Sequence, residues 1–194
     1  MSNPDPPFDR LVSLACHDLR TPLATVYGFA TTLTRLEDVS DKGKRYLELI
    51  AAASTELTEL LEELSLAARV EGGRYEPALQ ETDTRELATA AAERLEGKAN
   101  VSGWGAIAKV DPEATERSLY ALARCALRHG ALEEVRLAVD GQEIRIEPIV
   151  EEAAPIVLGD DLRDLGAAVA VRAVRGGGGS VELDGETLRV SLPD

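Results

Sequence analysis

The sequence predicts an α+β chain in two parts. An antiparallel helical hairpin that dimerises into a four-helix bundle comes first, and an α/β sandwich follows. Three observations carry this. Over two long N-terminal stretches, apolar residues recur in steps of three and four, which is the signature of a helical stripe. The segment EGGRYEP at residues 71–77 then breaks the pattern with Gly72, Gly73 and Pro77, strong punctuators of regular structure. Beyond it, helical stretches alternate with short β-rich runs, as in a layered sheet-and-helix domain. The domains are therefore expected at 1–72 and 73–194.

In the first helix the stripe is Val12, Ala15, Leu19, Pro22, Val26, Phe29, Leu33 and Leu36. In the second it is Tyr46, Ile50, Ala53, Leu57, Leu60, Leu64 and Ala67. This spacing reads as the seam between packed antiparallel helices. The joint, EDVSDKGK, offers Ser40 and Asp41 as N-caps of the second helix. Leu11, Leu23 and Ala30 widen the first stripe, and Leu47, Leu61 and Ala68 the second. One hairpin cannot cover stripes that wide, so a second copy is expected to complete a bundle.

The second half reads as a helix over residues 83–96 and a short strand at about 106–110. Asp111-Pro112 then opens a helix, with Asp as N-cap and Pro at the first position. That helix ends at Arg128-His129-Gly130. VRLAVD and EIRIEPIV flank Asp140-Gly141, a hairpin signal. A helix over 161–175 and a second hairpin around Asp184-Gly185 complete the set. GGGGS at 176–180 reads as a native loop between them, and Trp104 in VSGWGAI as an anchor at the core edge.

Composition narrows the function. The 194 residues carry a net charge of −14 and no basic block, so phosphate neutralisation on nucleic acid is disfavoured. The opening MSNPDPPFDR has neither a basic nor an apolar signal region. No apolar run reaches the ~20 residues that span a bilayer. A soluble, cytoplasmic protein is expected. Cys16 and Cys125 sit in helical patterns and not in a Cys-x-x-Cys pair, so both read as buried free thiols. With two histidines and no recognisable ligand spacing, no metal site is expected.

CHDLRTPLATVYGFATTL, residues 16–33, holds the chemistry. His17 lies off the apolar seam, beside the carboxylate of Asp18. Thr21, Ala24 and Gly28 follow it at helical spacing. The small residues leave room for another protein to approach, and Gly28 costs a helix about 1 kcal/mol relative to Ala. Arg20 is the nearest positive charge. Pro22 should kink the helix just after the histidine. Two readings of His17 stand at this point: a solvated surface histidine, or an exposed imidazole nucleophile.

HDLRTPL at 17–23 resembles the H-box of sensor histidine kinases, in their dimerisation and histidine-phosphotransfer domain. The resemblance implies that His17 is the phosphoacceptor, that Asp18 assists proton transfer, and that Thr21 positions water where such proteins dephosphorylate receivers. DPEATERSLYALARCALRHG, residues 111–130, is similar to the helix carrying the N-box of the family's ATP-binding domain. Ala121 and Cys125 stand where that box has asparagines, and neither replaces an oxygen ligand for magnesium. The Asp-x-Gly-x-Gly box has no counterpart in EIRIEPIVEEAAPIV. The last glycine box survives in outline at 164–183, with Asp164 in place of its first glycine. A carboxylate there competes with phosphate for helix amides. Residues 150–163 are too few for an ATP lid.

The resemblance therefore implies a histidine phosphotransferase, of the kind known from bacterial phosphorelays, joined to a degenerate ATP-binding-like domain. His17 carries the phosphoryl group to or from a receiver aspartate without ATP. Only some sixteen residues precede His17, which fits an intermediate that receives its signal as phosphate. The expected partners are response-regulator receiver domains, a hybrid histidine kinase and a second copy of the chain, with Arg20, Ala24 and Gly28 at the docking surface. No cofactor of its own is expected, because the receiver supplies Mg2+. A receiver phosphatase using Thr21, a non-catalytic pseudokinase scaffold, and a working kinase with an unusual site are the alternatives. His129 reads as a capping or surface residue, and Arg124 and Arg128 either as fillers of the vacated nucleotide pocket or as contacts for a partner's acidic groups.

Overall fold

The computed structural model describes residues 8–36 and 39–194, with side chains from Val12 onward. The leading MSNPDPP, Glu37 and Asp38 of the joint, and the side chain of Leu11 lie outside the described residues. The chain divides into two compact units, 1–73 and 74–194.

The first unit is a hairpin of α1 (Phe8–Thr34) and α2 (Asp41–Glu71). Ser40 caps α2: its hydroxyl accepts from the Gly43 amide at 3.2 Å, satisfying one of the orphan donors of the first turn. Gly72 closes α2 by donating its amide to the Ala68 carbonyl at 3.1 Å. The helix assignment of α1 continues through Pro22, although proline has no N–H for the Asp18 carbonyl.

Within this unit the expected seam and its flanks exchange roles. Cys16 and Ala30 on α1, and Ser54, Glu63, Leu66 and Ala68 on α2, are the buried positions among the described residues. Leu23, Leu47 and Leu61 are half-buried. The heptad residues expected between the helices lie instead on the outer surface: Leu19, Val26, Phe29 and Leu33 on α1, and Tyr46, Ile50, Leu57 and Leu60 on α2 are all exposed, Phe29 by 66%. Small residues let two helices approach closely, so the flanking stripe closes the hairpin. The larger aliphatics on the adjacent stripe are left without a neighbour.

The second unit runs β1 (Gln80–Asp83), α3 (Thr84–Glu93), β2 (Ala99–Gly105), β3 (Ile107–Val110), α4 (Pro112–Gly130), β4 (Val135–Gly141), β5 (Glu143–Glu147), α5 (Ala154–Val157), α6 (Leu165–Gly176), β6 (Ser180–Asp184) and β7 (Thr187–Ser191). Strands order as β2-β4-β5-β7-β6 in one mixed sheet, and β1 pairs with β3 in a small second sheet. Only β2–β4 is parallel in the larger sheet.

One face of that sheet is apolar. The cross-strand pairs Leu137–Ile146, Val139–Ile144, Ile144–Val190 and Ile146–Leu188 are buried together. Leu87, Leu119, Leu122 and Val171, from α3, α4 and α6, belong to the same core. The other face carries ion pairs: Arg136 with Glu147, and Arg145 with Glu143 and Asp140 at 2.5 and 2.9 Å. Period-two alternation separates the two faces.

Both hairpins form at the expected Asp-Gly turns. Sequence reasoning missed β1 and β2. β2 is an edge strand with no apolar alternation. Its Gly103 has φ +90°, and a Cβ there would stand 1.9 Å from the Val139 carbonyl oxygen. Trp104 is not at the core edge: on this edge strand it is 69% exposed. α3 stops at Glu93, and the chain turns through Glu96 and Gly97 with positive φ. GGGGS is a tight ordered junction: Gly176 ends α6, Ser180 opens β6, and a Cβ on Gly179 would meet the Ser191 carbonyl oxygen at 2.6 Å.

Asp111 holds two segments at once. One carboxylate oxygen accepts from the Ala114 amide at 3.1 Å and the other from the Ala78 amide at 3.0 Å. Asp111→Ala is expected to destabilise the second unit by about 1–3 kcal/mol in urea unfolding. Asp111→Asn keeps one acceptor and should fall between it and the parent. Glu147 is held below the usual glutamate range, first by its hydrogen bond from Arg136 and then by that from Thr187, against partial burial. A lowered folded-state pKa stabilises above the unfolded value and is lost as pH falls through the folded one. Glu147→Gln should therefore lower stability at pH 7, and the difference from the parent should shrink as pH falls below the usual glutamate range.

Candidate functional site

His17 stands on the solvent face of α1, with its side chain 77% exposed. Its Nδ1 lies 3.1 Å from Asp18 Oδ1. An ionised carboxylate only accepts, so this contact assigns the proton to Nδ1 and leaves the Nε2 lone pair facing solvent. Thr21, Ala24 and Gly28 are exposed on the same helix, as is Arg20. A Cβ added at Gly28 would meet nothing within 4 Å, so the surface there is open. Two threonine hydroxyls fold back onto this stretch: Thr25 donates to the Thr21 carbonyl at 3.1 Å and Thr32 to the Gly28 carbonyl at 2.7 Å. All six sequence-selected residues thus sit on one accessible helix, flanked by the bare apolar stripe. Cys16, adjacent to His17, points the other way into the hairpin; burial raises its thiol, and Arg20 partly opposes this.

The second unit places its own selected residues around the end of α4 and the start of α6. Ala121 and Cys125 are buried in the core. Asp164 is the N-cap of α6, its Oδ1 accepting from the Ala167 amide at 3.0 Å. The carboxylate therefore occupies one of the amides that a helix start would offer to a phosphate and sets a negative charge beside the rest. Arg124 packs on the Tyr120 ring at 5.1 Å, with Arg94 on the same ring at 4.2 Å. These three residues, with Lys98 and Arg128, line an open groove of about 370 Å³. Only the single turn of α5 forms between residues 150 and 164.

His129 departs from its expected role. The C-cap of α4 is Ala131, in the left-handed region at φ 49°. His129 is largely covered, and its Nε2 lies 3.4 Å from Asp164 Oδ2. Arg128 approaches the same oxygen at 3.9 Å. The Cys125 thiol is pushed up to about 12, by burial and then by the nearby Asp164 carboxylate. The Cys125–His129–Asp164 grouping was not read from the sequence. Its one sequence signal is a Cys-x-x-x-His spacing on a helix.

Residues 9–73 match the His Kinase A (phospho-acceptor) domain. The chain is 26% identical over 87 residues to the sensor protein DivL of Caulobacter vibrioides, which is 45% of this chain and 11% of that one. It is 34% identical over 65 residues to the probable sensor histidine kinase TcrY of Mycobacterium tuberculosis, covering 34% of this chain and 14% of TcrY. An uncharacterised sensor-like histidine kinase of Rhizobium meliloti is 26% identical across 81% of this chain and 32% of its own. The chain thus spans between about a tenth and a third of these relatives. Among solved structures, full-length ShkA in complex with AMPPNP superposes with a TM-score of 0.67 at 21% identity, over 95% of this chain and 45% of ShkA. The histidine kinase AdeS of Acinetobacter baumannii does so at 0.56 and 17%, over 92% and 98%.

The chain's first unit is similar to the His Kinase A phospho-acceptor domain over residues 9–73, and the fold as a whole is similar to those of solved histidine kinases. That fold is a phospho-acceptor-type helical hairpin followed by an α/β unit with the mixed sheet of the kinase ATPase-like fold. Among the described residues, no helix is long and apolar enough to cross a membrane.

With a folded-state value near 12, about one Cys125 in ten thousand is thiolate at pH 8. The thiol should react with a disulfide reagent more than about a hundredfold faster once the protein is unfolded in denaturant. Fast native-state labelling mapped to Cys125 by peptide mass would contradict this burial.

Proposed function

We propose that the chain is a histidine phosphotransferase of a two-component phosphorelay, and that His17 exchanges a phosphoryl group with the aspartate of response-regulator receiver domains without using ATP. The observation that carries the reading is the exposed His17–Asp18 pair on a hairpin matching a phospho-acceptor domain. In the step itself, Nε2 attacks the phosphorus of a receiver's aspartyl phosphate. The N–P bond forms, the P–O bond to the aspartate breaks, and the aspartate carboxylate leaves. The ring's new positive charge is stabilised by Asp18 at Nδ1–H. Mg2+ belongs to the receiver. Arg20, Ala24 and Gly28 supply a small, open docking surface around the nucleophile.

Independence from ATP is supported by the second unit. The side chains at 121 and 125 offer no hard oxygen ligand, and Asp164 caps α6 where phosphate would otherwise be drawn. A sheet-and-helix scaffold persists without its ligand site, since fold and site are separable. The exposure of Thr21 one turn beyond His17 favours a second reading, in which the same surface dephosphorylates receivers.

A homodimer is part of the proposal. The bare stripe of Leu19, Val26, Phe29, Leu57 and Leu60 is continuous with the hairpin core and too apolar to remain in water. Phe29→Glu with Leu57→Glu should convert the dimer to monomer in analytical ultracentrifugation while helicity is largely kept.

The direct test is intact mass at neutral pH. Incubation with a phosphorylated receiver should add phosphate to the wild type and not to His17→Ala, and incubation with Mg-ATP should add none to either. An ATP-derived adduct on His17 would make the protein an autokinase. Loss of receiver phosphate with no adduct, dependent on Thr21, would select the phosphatase.

A further inference from the structure

Three side chains that phosphotransfer does not use converge where α4 ends and α6 begins. Cys125 and His129 stand four residues apart on α4, hence on one face. Asp164 arrives from the cap of α6. The sulfur, an imidazole nitrogen and a carboxylate oxygen all lie within 4.8 Å of one another. Cys125 is fully buried and Asp164 is 5% exposed. Folding occupies only part of their bonding capacity. Asp164 Oδ1 caps Ala167. Its Oδ2 and His129 Nε2 face each other at 3.4 Å, both buried, and neither makes a hydrogen bond among the described residues. Two buried polar atoms left in that state cost stability.

We propose that Cys125, His129 and Asp164 bind a divalent transition metal of the zinc class, joining α4 to α6 and leaving a fourth position for water. The donor set of thiolate, imidazole and carboxylate is the one zinc prefers, and it disfavours magnesium. With metal–ligand bonds of about 2.0–2.3 Å, tetrahedral ligand atoms stand about 3.3–3.6 Å apart. The His129–Asp164 pair is already at that separation. The remaining closure is on the order of 1 Å, within the reach of side-chain rotation. Charge fits as well: one thiolate and one carboxylate are neutralised by a divalent ion, and the thiol proton leaves to solvent as the metal–sulfur bond forms. Arg128 shares the Asp164 oxygen at 3.9 Å, but its side chain is 59% exposed and swings into water when the ion enters. The inference does not depend on the role proposed for His17.

The test is titration of Co2+ into the chelator-treated, reduced full chain, followed by absorbance and thermal unfolding. The wild type should take up one equivalent, with a thiolate-to-cobalt charge-transfer band that Zn2+ abolishes by displacement, and each metal should raise Tm. Cys16→Ala should keep the band. Cys125→Ala should lose it while retaining its circular dichroism. His129→Gln, which leaves the core untouched, should weaken uptake by more than about tenfold. If Cys125→Ala fails to fold, His129→Gln decides. Absence of the band in the wild type, its survival in Cys125→Ala, or unchanged uptake in His129→Gln would overturn the proposal.

Discussion

A helix can bury one stripe of its surface against one neighbour, and each helix of the N-terminal hairpin carries two apolar stripes. The stripe with the smaller residues, including Cys16, Ala30, Ser54 and Ala68, closes the hairpin. The stripe with Leu19, Val26, Phe29, Leu57 and Leu60 stays bare. His17 is on neither. Its exposure follows from this geometry, because the two stripes use up the apolar faces and leave the imidazole toward water. Asp18 then fixes the tautomer at 3.1 Å, and Nε2 is the nitrogen that faces solvent. The proposed docking surface and the proposed dimer surface are neighbours on one helix for the same reason.

The second unit is organised by a one-sided sheet. Alternation along β4 and β5 turns Val135, Leu137, Val139, Ile144 and Ile146 inward, and sends Arg136, Asp140, Arg145 and Glu147 to the opposite face. α4 packs one side against that core, and the residues of that side are almost all small or aliphatic. Ala121 and Cys125 belong to that side. Packing therefore accounts for them fully, and any ligand chemistry at Cys125 must come through neighbours that the fold delivers. Asp164 is such a neighbour. One oxygen serves the helix, and the other lies buried beside His129.

Much of the fold was legible because its signals are local. Asp111-Pro112 starts a helix, since a capping carboxylate and a fixed φ act within one turn. Asp140-Gly141 and Asp184-Gly185 make hairpins through turn conformation alone. HDLRTPL marked the candidate site because every residue of it lies on one helix. β1 and β2 were not legible: β1 is four polar residues, β2 has no apolar alternation, and each is held by pairing to a strand distant in sequence. Trp104 was misplaced for the same cause, since nothing near it in the chain says that its strand is an edge.

The sequence by itself determined roughly where the longer helices lie, the caps at Ser40 and Asp111, and which helix carries the histidine, because helix period and capping depend on residues a few positions apart. Only the tertiary structure decided which of two adjacent apolar stripes closes the hairpin, since side-chain size sets how closely two helices approach, and both stripes share one period. Only the tertiary structure brought Cys125, His129 and Asp164 together. Two of them share a helix face by spacing, but the third reaches them through the packing of α6 on α4, a contact of the folded core that no local pattern encodes.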